Sequence, residues 1–329
     1  MSERLKARQA PEDTSTNRPA QITRLPERVS DADGGDLRRR ASISLDTILG
    51  RIHRLQPLSP VVVRVLEMTD RDFVSAREIV NVINGDLRFS TRVVKAANAP
   101  CLGLPRPVTT VAEAVLLLGT EAFRASVVAA AARDALYRSL PGYGMAAQDL
   151  WRHSIACAMA AEIIAEMTGY NNRAEAFVAG LLHDVGKIVL DEDMQAAVPL
   201  VRGLMNKENC QFLDAERMAL GFDHCHTGGR IARTWGVPQH IVQAIALHRK
   251  PIVNRQTVPL AGYVHLGEIL CSVAGIGPGT EGLDITMETQ VLSDFKLPEA
   301  WEYEALSRLL DALTASQGLM MLAPTVPEN

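Results

Sequence analysis

From about Ser42 onward, apolar residues recur every three or four positions, the period of an amphipathic helix, and no convincing stretch alternates with period two. The pattern predicts an all-α fold. Helices are expected near 44–54, 60–69, 75–84, 87–98, 110–118 and 121–138. A second series falls near 148–168, 173–190, 212–219, 226–234, 239–248, 258–274 and 299–316, with a looser stretch over 275–298. Ser75 with Glu78, and Thr110 with Glu113, have the capping-box spacing in which hydroxyl and carboxylate satisfy free amides at a helix start, and Gly85 and Gly119 supply stops. Residues 139–145, with Pro141, Gly142 and Gly144, interrupt the pattern. The expected organisation is therefore an N-terminal helical part over 42–138, a second helical bundle over 146–275 and a C-terminal helical extension over 276–322.

Outside that pattern lie two ends. Residues 1–41 are rich in charge and poor in large apolar side chains, too little to offset the entropy of ordering, so a disordered tail is expected; residues 323–329 are expected to fray. The chain has 329 residues, 47% of them hydrophobic, enough for a sizeable core. No apolar run reaches the length of a membrane span and residues 1–40 hold no hydrophobic signal core, so a cytoplasmic protein without membrane contact is expected. A net charge of -4 and the lack of a basic stripe argue against nucleic acid as a direct partner. Five scattered cysteines without a C-x-x-C pair argue against both a disulfide framework and a structural zinc site, and read as reduced thiols.

The sharpest local signal is the adjacent pair His183-Asp184, expected inside an apolar helix with Ala176, Ala179 and Gly180 leaving room beside it. A buried carboxylate beside an imidazole needs a partner, and a divalent metal satisfies both. His153 heads a ridge of Ala156, Cys157, Ala160 and Ile164; His224 aligns with Gly228 and Ile231; His248 aligns with Ile241, Ala244 and Ile245. Any one of these histidines alone reads as a hydrogen-bonded core residue, but together with His183 and Asp184 they read as a ligand set. His53, His226 and His240 read as surface residues.

The order His153, then His183-Asp184, then a later acidic residue resembles the HD superfamily of metal-dependent phosphohydrolases. The surrounding segments resemble its HDOD branch more specifically: Leu58-Ser59-Pro60-Val61-Val62, Ile83-Asn84-Gly85-Asp86, Ala96-Ala97-Asn98-Ala99, Gly103-Leu104-Pro105-Arg106-Pro107-Val108, Trp151-Arg152-His153-Ser154, Leu220-Gly221-Phe222-Asp223-His224, Trp235-Gly236-Val237-Pro238 and Ala246-Leu247-His248-Arg249. The resemblance covers about residues 45–275. It implies an HD-like bundle preceded by a helical subdomain, and a bacterial regulatory protein of signal transduction, its partners being signalling proteins. It also implies a late carboxylate near residues 264–268, where Glu268 stands in place of the superfamily's Asp.

Departures matter here. The related HD-GYP phosphodiesterases carry a His-His pair where this chain has His248-Arg249, and the chain has no Gly-Tyr-Pro motif, which disfavours cyclic di-GMP hydrolysis. The expected metal ligands are His153, His183, Asp184, His224, His248 and Glu268, for a divalent Mn, Fe, Mg or Zn. If the site is active, Lys187 is the candidate to stabilise developing charge or transfer a proton. The preferred reading is a regulatory protein that binds partners on a degenerate phosphohydrolase scaffold; the alternatives are a metal-dependent phosphohydrolase and a nucleotide sensor without turnover.

Overall fold

Polar side chains just ahead of apolar runs set the helix starts. The structure, a computed structural model, describes residues 43–55, 58, 60–67, 76–98, 104–277, 279 and 285–315, among which fourteen α-helices and one two-stranded hairpin are found. The expected tails, the cap at Ser75 and residues 99–103 of the loop before Val108 lie outside the described residues.

The first five helices are α1 (Leu45–Arg54), α2 (Pro60–Glu67), α3 (Ala76–Asn84), α4 (Leu87–Ala97) and α5 (Val111–Leu136). Ser44 Oγ caps α1 by accepting from the Thr47 amide at 3.1 Å, and an Asp86 carboxylate oxygen caps α4 by accepting from the Phe89 amide at 3.0 Å. At α5, Thr110 Oγ1 accepts from the Glu113 amide at 3.1 Å, while the Glu113 carboxylate reaches back to the Thr109 amide at 2.9 Å, one residue earlier than a capping box requires. Gly119 separates two helical pieces of α5, as expected, at a kink. Its φ is 75° and its ψ 169°, a backbone state open to glycine.

The remaining elements are α6 (Asp149–Met167), α7 (Arg173–Leu182), α8 (Lys187–Glu208), α9 (Phe212–Leu220), α10 (His224–Thr234), α11 (Gln239–Leu247), the hairpin β1 (Ile252–Val253) and β2 (Gln256–Thr257), α12 (Pro259–Val273), α13 (Thr289–Phe295) and α14 (Trp301–Ala315). Two expectations are corrected here. The helix expected over 173–190 breaks at residues 183–186, so the His-Asp pair follows α7 in a turn. Beyond it α8 runs on to Glu208 through Pro199, where the polar composition hides the helical period. The break has a steric reason: a Cβ on Gly186 would stand 1.9 Å from the His224 carbonyl oxygen, so the turn packs directly under the backbone of α10.

Helix α6 is the axis of the second half, buried on nearly every side, and α7 and α12 lie against it. Small residues make that possible. A Cβ on Gly180 would meet Ala158 Cα at 2.8 Å, and one on Gly267 would meet the Cys157 carbonyl at 3.1 Å. The first half joins the second through α1 and α8: Arg51 donates to the Val189 carbonyl at 3.2 Å and pairs with Asp193, and the Ile43 amide donates to the Leu220 carbonyl at 3.0 Å.

Because the obstruction at Gly180 is backbone, Gly180→Ala is expected to destabilise the fold by about 1–3 kcal/mol, as overpacking does, read from the urea midpoint at constant slope. An unchanged midpoint would mean that α6 and α7 separate freely.

Candidate metal centre

Five helices deliver one cluster of side chains. His153 comes from the first turns of α6, His183 and Asp184 from the turn after α7, Lys187 from the start of α8, His224 from the start of α10, His248 from the end of α11, and Glu268 from α12. All are fully buried. The six residues expected as ligands are thus brought together, and Lys187 joins them.

The orientation of each imidazole is set from behind. His153 Nδ1 donates to the Ile276 carbonyl at 3.0 Å, His183 Nδ1 to the Gly180 carbonyl at 2.6 Å, and His248 Nδ1 to the Ile245 carbonyl at 2.8 Å. His224 Nδ1 donates to a Glu216 carboxylate oxygen at 2.7 Å. With acceptors on every Nδ1, each ring keeps a proton there, and all four Nε2 atoms face the centre, bare on His153 and His248 and on His183 and His224 once a second proton leaves. There they meet carboxylates. Asp184 Oδ2 lies 3.3 Å from His183 Nε2 and 3.5 Å from His153 Nε2, and Asp184 Oδ1 lies 3.7 Å from His224 Nε2. Glu268 places its oxygens 3.7 Å from the Nε2 atoms of His183 and His248. His153 and His183 hold their Nε2 atoms only 3.3 Å apart.

Two cations balance part of this charge. Lys187 Nζ donates to Asp184 Oδ2 at 2.7 Å, and Arg249 Nε lies 3.2 Å from Glu268 Oε2. Asp184 Oδ1, His224 Nε2 and both Glu268 carboxylate oxygens are nevertheless buried without a hydrogen-bond partner. Unpartnered carboxylate oxygens among four inward-facing imidazoles, at a point no solvent reaches, fit a divalent cation. The ligand atoms of His183, Asp184, His248 and Glu268 lie within 4.8 Å of one another, close enough to share one.

Glu216 and Tyr143 belong to the site although nothing in the sequence singles them out. Glu216, on α9, also accepts from the His224 amide at 3.0 Å and from the Tyr143 hydroxyl. Tyr143 is held by the turn 141–143, where Gly142 packs on α8 and its amide donates to Asp191 at 2.8 Å. His265 is buried too, but both ring nitrogens are used: Nδ1 donates to the His248 carbonyl at 3.1 Å and Nε2 accepts from the Glu288 amide at 3.1 Å. Of the histidines read as surface, His53 is exposed and His240 pairs with Glu175 at 3.0 Å. His226 is half-buried against Asp223 at 3.0 Å, tying down the start of α10. A cavity of about 110 Å³ lined by Asp149, Arg152 and Ile276 adjoins the loop that holds His153, yet none of the six expected ligands lines it.

Burial pushes His153 down to about 4 and His248 down to about 3. Burial also opposes charge on His183 and His224, but Asp184 outweighs it at the first and Cys225 with Glu216 at the second, so both are raised well above the ordinary histidine value. Asp184 is opposed by burial, yet His183 and Lys187 hold it well below the carboxylate range.

The fold and this centre define the class: a helical HD-type domain with a buried histidine-carboxylate cluster. The chain belongs to the HDOD domain family, whose model matches residues 55–251. Solved structures with this fold include an HDOD domain protein of unknown function from Geobacter sulfurreducens, at 24% identity and TM-score 0.61, covering 84% of this chain and 97% of that one. Another is a provisionally named signal transduction protein from Marinobacter aquaeolei, at 22% identity and TM-score 0.65, covering 86% and 68%. A third is a provisionally named metal-dependent phosphohydrolase from Shewanella amazonensis, at 16% identity and TM-score 0.53, covering 84% and 97%. No curated protein matches the chain. Among the described residues no helix is long and apolar enough to cross a membrane.

These shifts give the metal-free chain a stability maximum near the unperturbed histidine value of about 6.5. Below it the unfolded chain takes up protons that His153 and His248 refuse, so stability falls with pH; His265, also lowered by burial, adds to that limb. Above it the stabilisation from charged His183 and His224 is lost as pH rises through their raised values. Urea midpoints across this range are expected to peak, and His153→Gln to flatten the acid limb; a flat profile would contradict the assignment.

Proposed function

We propose that this chain is a regulatory protein of signal transduction that works by binding partner proteins, and that its buried centre holds one divalent cation as a structural tie between helices. The observation that carries this reading is the convergence of four Nε2 atoms and two carboxylates at a fully buried point. The ligands are drawn from His153, His183, Asp184, His224, His248 and Glu268. Their imidazole-rich character favours Zn or Fe over Mn or Mg. A cation so held polarises oxygen ligands and acidifies bound water.

Reaction on a phosphate ester also requires that the ester reach the metal. Full burial of every donor argues against that approach, and Lys187 is itself fully buried with its ammonium on Asp184, where it offsets charge. The related solved structure named for signal transduction supports the regulatory reading. Partner binding is assigned to the N-terminal helices α1–α5, which contribute no side chain to the centre and expose Leu116 at 80% and Leu117 at 38%.

Elemental analysis of the purified full chain, beside Asp184→Asn, is the direct test. One metal per chain is expected, lost in the variant, with no phosphodiesterase turnover when manganese is supplied. Turnover that Asp184→Asn abolishes would overturn the regulatory reading in favour of a phosphohydrolase, and a metal-free wild type would overturn the structural tie.

Glu216 orients His224 from outside the centre. Glu216→Gln is therefore expected to weaken metal binding roughly 10- to 100-fold, measured by competition with a chelator. Affinity is also expected to rise with pH above the ordinary histidine value of about 6.5, because protons on His183 and His224, both raised, must leave before a cation binds. An affinity indifferent to both changes would place the metal elsewhere.

A further inference from the structure

Asp184 divides the cluster in two. On its Oδ2 side stand His153 and His183, with Lys187 already donating to that oxygen and Arg249 beside Glu268. On its Oδ1 side the oxygen has no hydrogen-bond partner, and His224 Nε2, 3.7 Å away, has none either. One more donor stands beside His224 and His248. Cys225, the residue after His224 on α10, is fully buried and reduced, with Sγ 3.6 Å from His248 Nε2. The ligand atoms of His224, Cys225 and His248 lie within 4.8 Å of one another.

We infer that the cation sits here, as a zinc-type centre bound by His224, His248 and Cys225 Sγ as thiolate, with Asp184 Oδ1, 3.7 Å from His224 Nε2, drawn in as the fourth ligand. This rests on the metal-centre reading above and assigns a ligand, Cys225, that the histidine-carboxylate set lacks. Two imidazoles, a thiolate and a carboxylate form a four-coordinate set suited to Zn²⁺. Both imidazoles have their Nδ1 atoms fixed from behind, by Glu216 and by the Ile245 carbonyl. Binding as thiolate displaces the thiol proton: the S–H bond breaks, the Zn–S bond forms, and the proton passes to solvent.

Cobalt(II) added to the metal-free full chain reports the ligands directly. A thiolate-to-cobalt charge-transfer band with the visible absorption of a tetrahedral ion is expected, and zinc should abolish both. Cys225→Ser should lose the band with its helical circular dichroism intact, whereas Cys157→Ser, near His183, should keep it. Zinc affinity of Cys225→Ser should fall at least about 10-fold. Cobalt bound without the band, or a band that survives Cys225→Ser and disappears in Cys157→Ser, overturns the thiolate centre and leaves the metal reading standing. No cobalt bound at all overturns both.

Discussion

The whole second half of the molecule is built around one electrostatic constraint: four buried imidazoles donate outward from Nδ1 and therefore turn Nε2 inward. His153, His183 and His248 give their Nδ1 protons to backbone carbonyls, and His224 gives its proton to Glu216. Each bond satisfies a buried group locally, yet together they concentrate polar atoms around Asp184 and Glu268. Lys187 and Arg249 answer only part of that concentration. The packing serves the same end. Gly180, Gly186 and Gly267 bring backbones so close that a single added carbon would collide, which is how residues from five helices reach one point.

Such closeness also links the centre to the first half of the chain. Lys187 opens α8, and one turn later Arg51 from α1 binds the Val189 carbonyl and pairs with Asp193 on that helix. A rigid helix therefore carries both the cation that holds Asp184 and the contact that holds α1. Tyr143 adds a second strut, reaching the centre through Glu216 from the turn that packs on the same helix. Displacement of α8 would disturb both attachments.

Much of this was legible in the sequence because helical periodicity and inward-facing histidines are local signals. The six expected ligands converge because each sits on an apolar helical face or at its end. The break at residues 183–186 was not legible, since Val185 and Ile188 continue the apolar period and only the contact of Gly186 with α10 shows why the helix must stop. Likewise α8 beyond residue 190 is polar and holds Pro199, so its helix depends on tertiary contact through Val189, Met194, Ala197 and Val201. Glu216 escaped notice because its role depends on α9 and α10 folding back at Gly221, with φ 81°, which sets a carboxylate against a histidine eight residues on. Cys225 escaped for a different reason. The search for paired cysteines rejects a lone thiol, and only the fold shows that its partners are imidazoles.

Arg249 is where this centre departs from the phosphodiesterase pattern that it resembles. The resemblance to HD-GYP phosphodiesterases places a second histidine at that position; here a fully buried guanidinium replaces it and lies against Glu268. A fixed cation already supplies the positive charge that an additional metal would bring, and burying a further dication beside it would be costly without another anion. Glu268 is correspondingly held below the carboxylate range, against the effect of burial, by Arg249 and His248. Lys187 and Arg249 thus each pair with one of the two central carboxylates, and every expected ligand lies buried away from solvent.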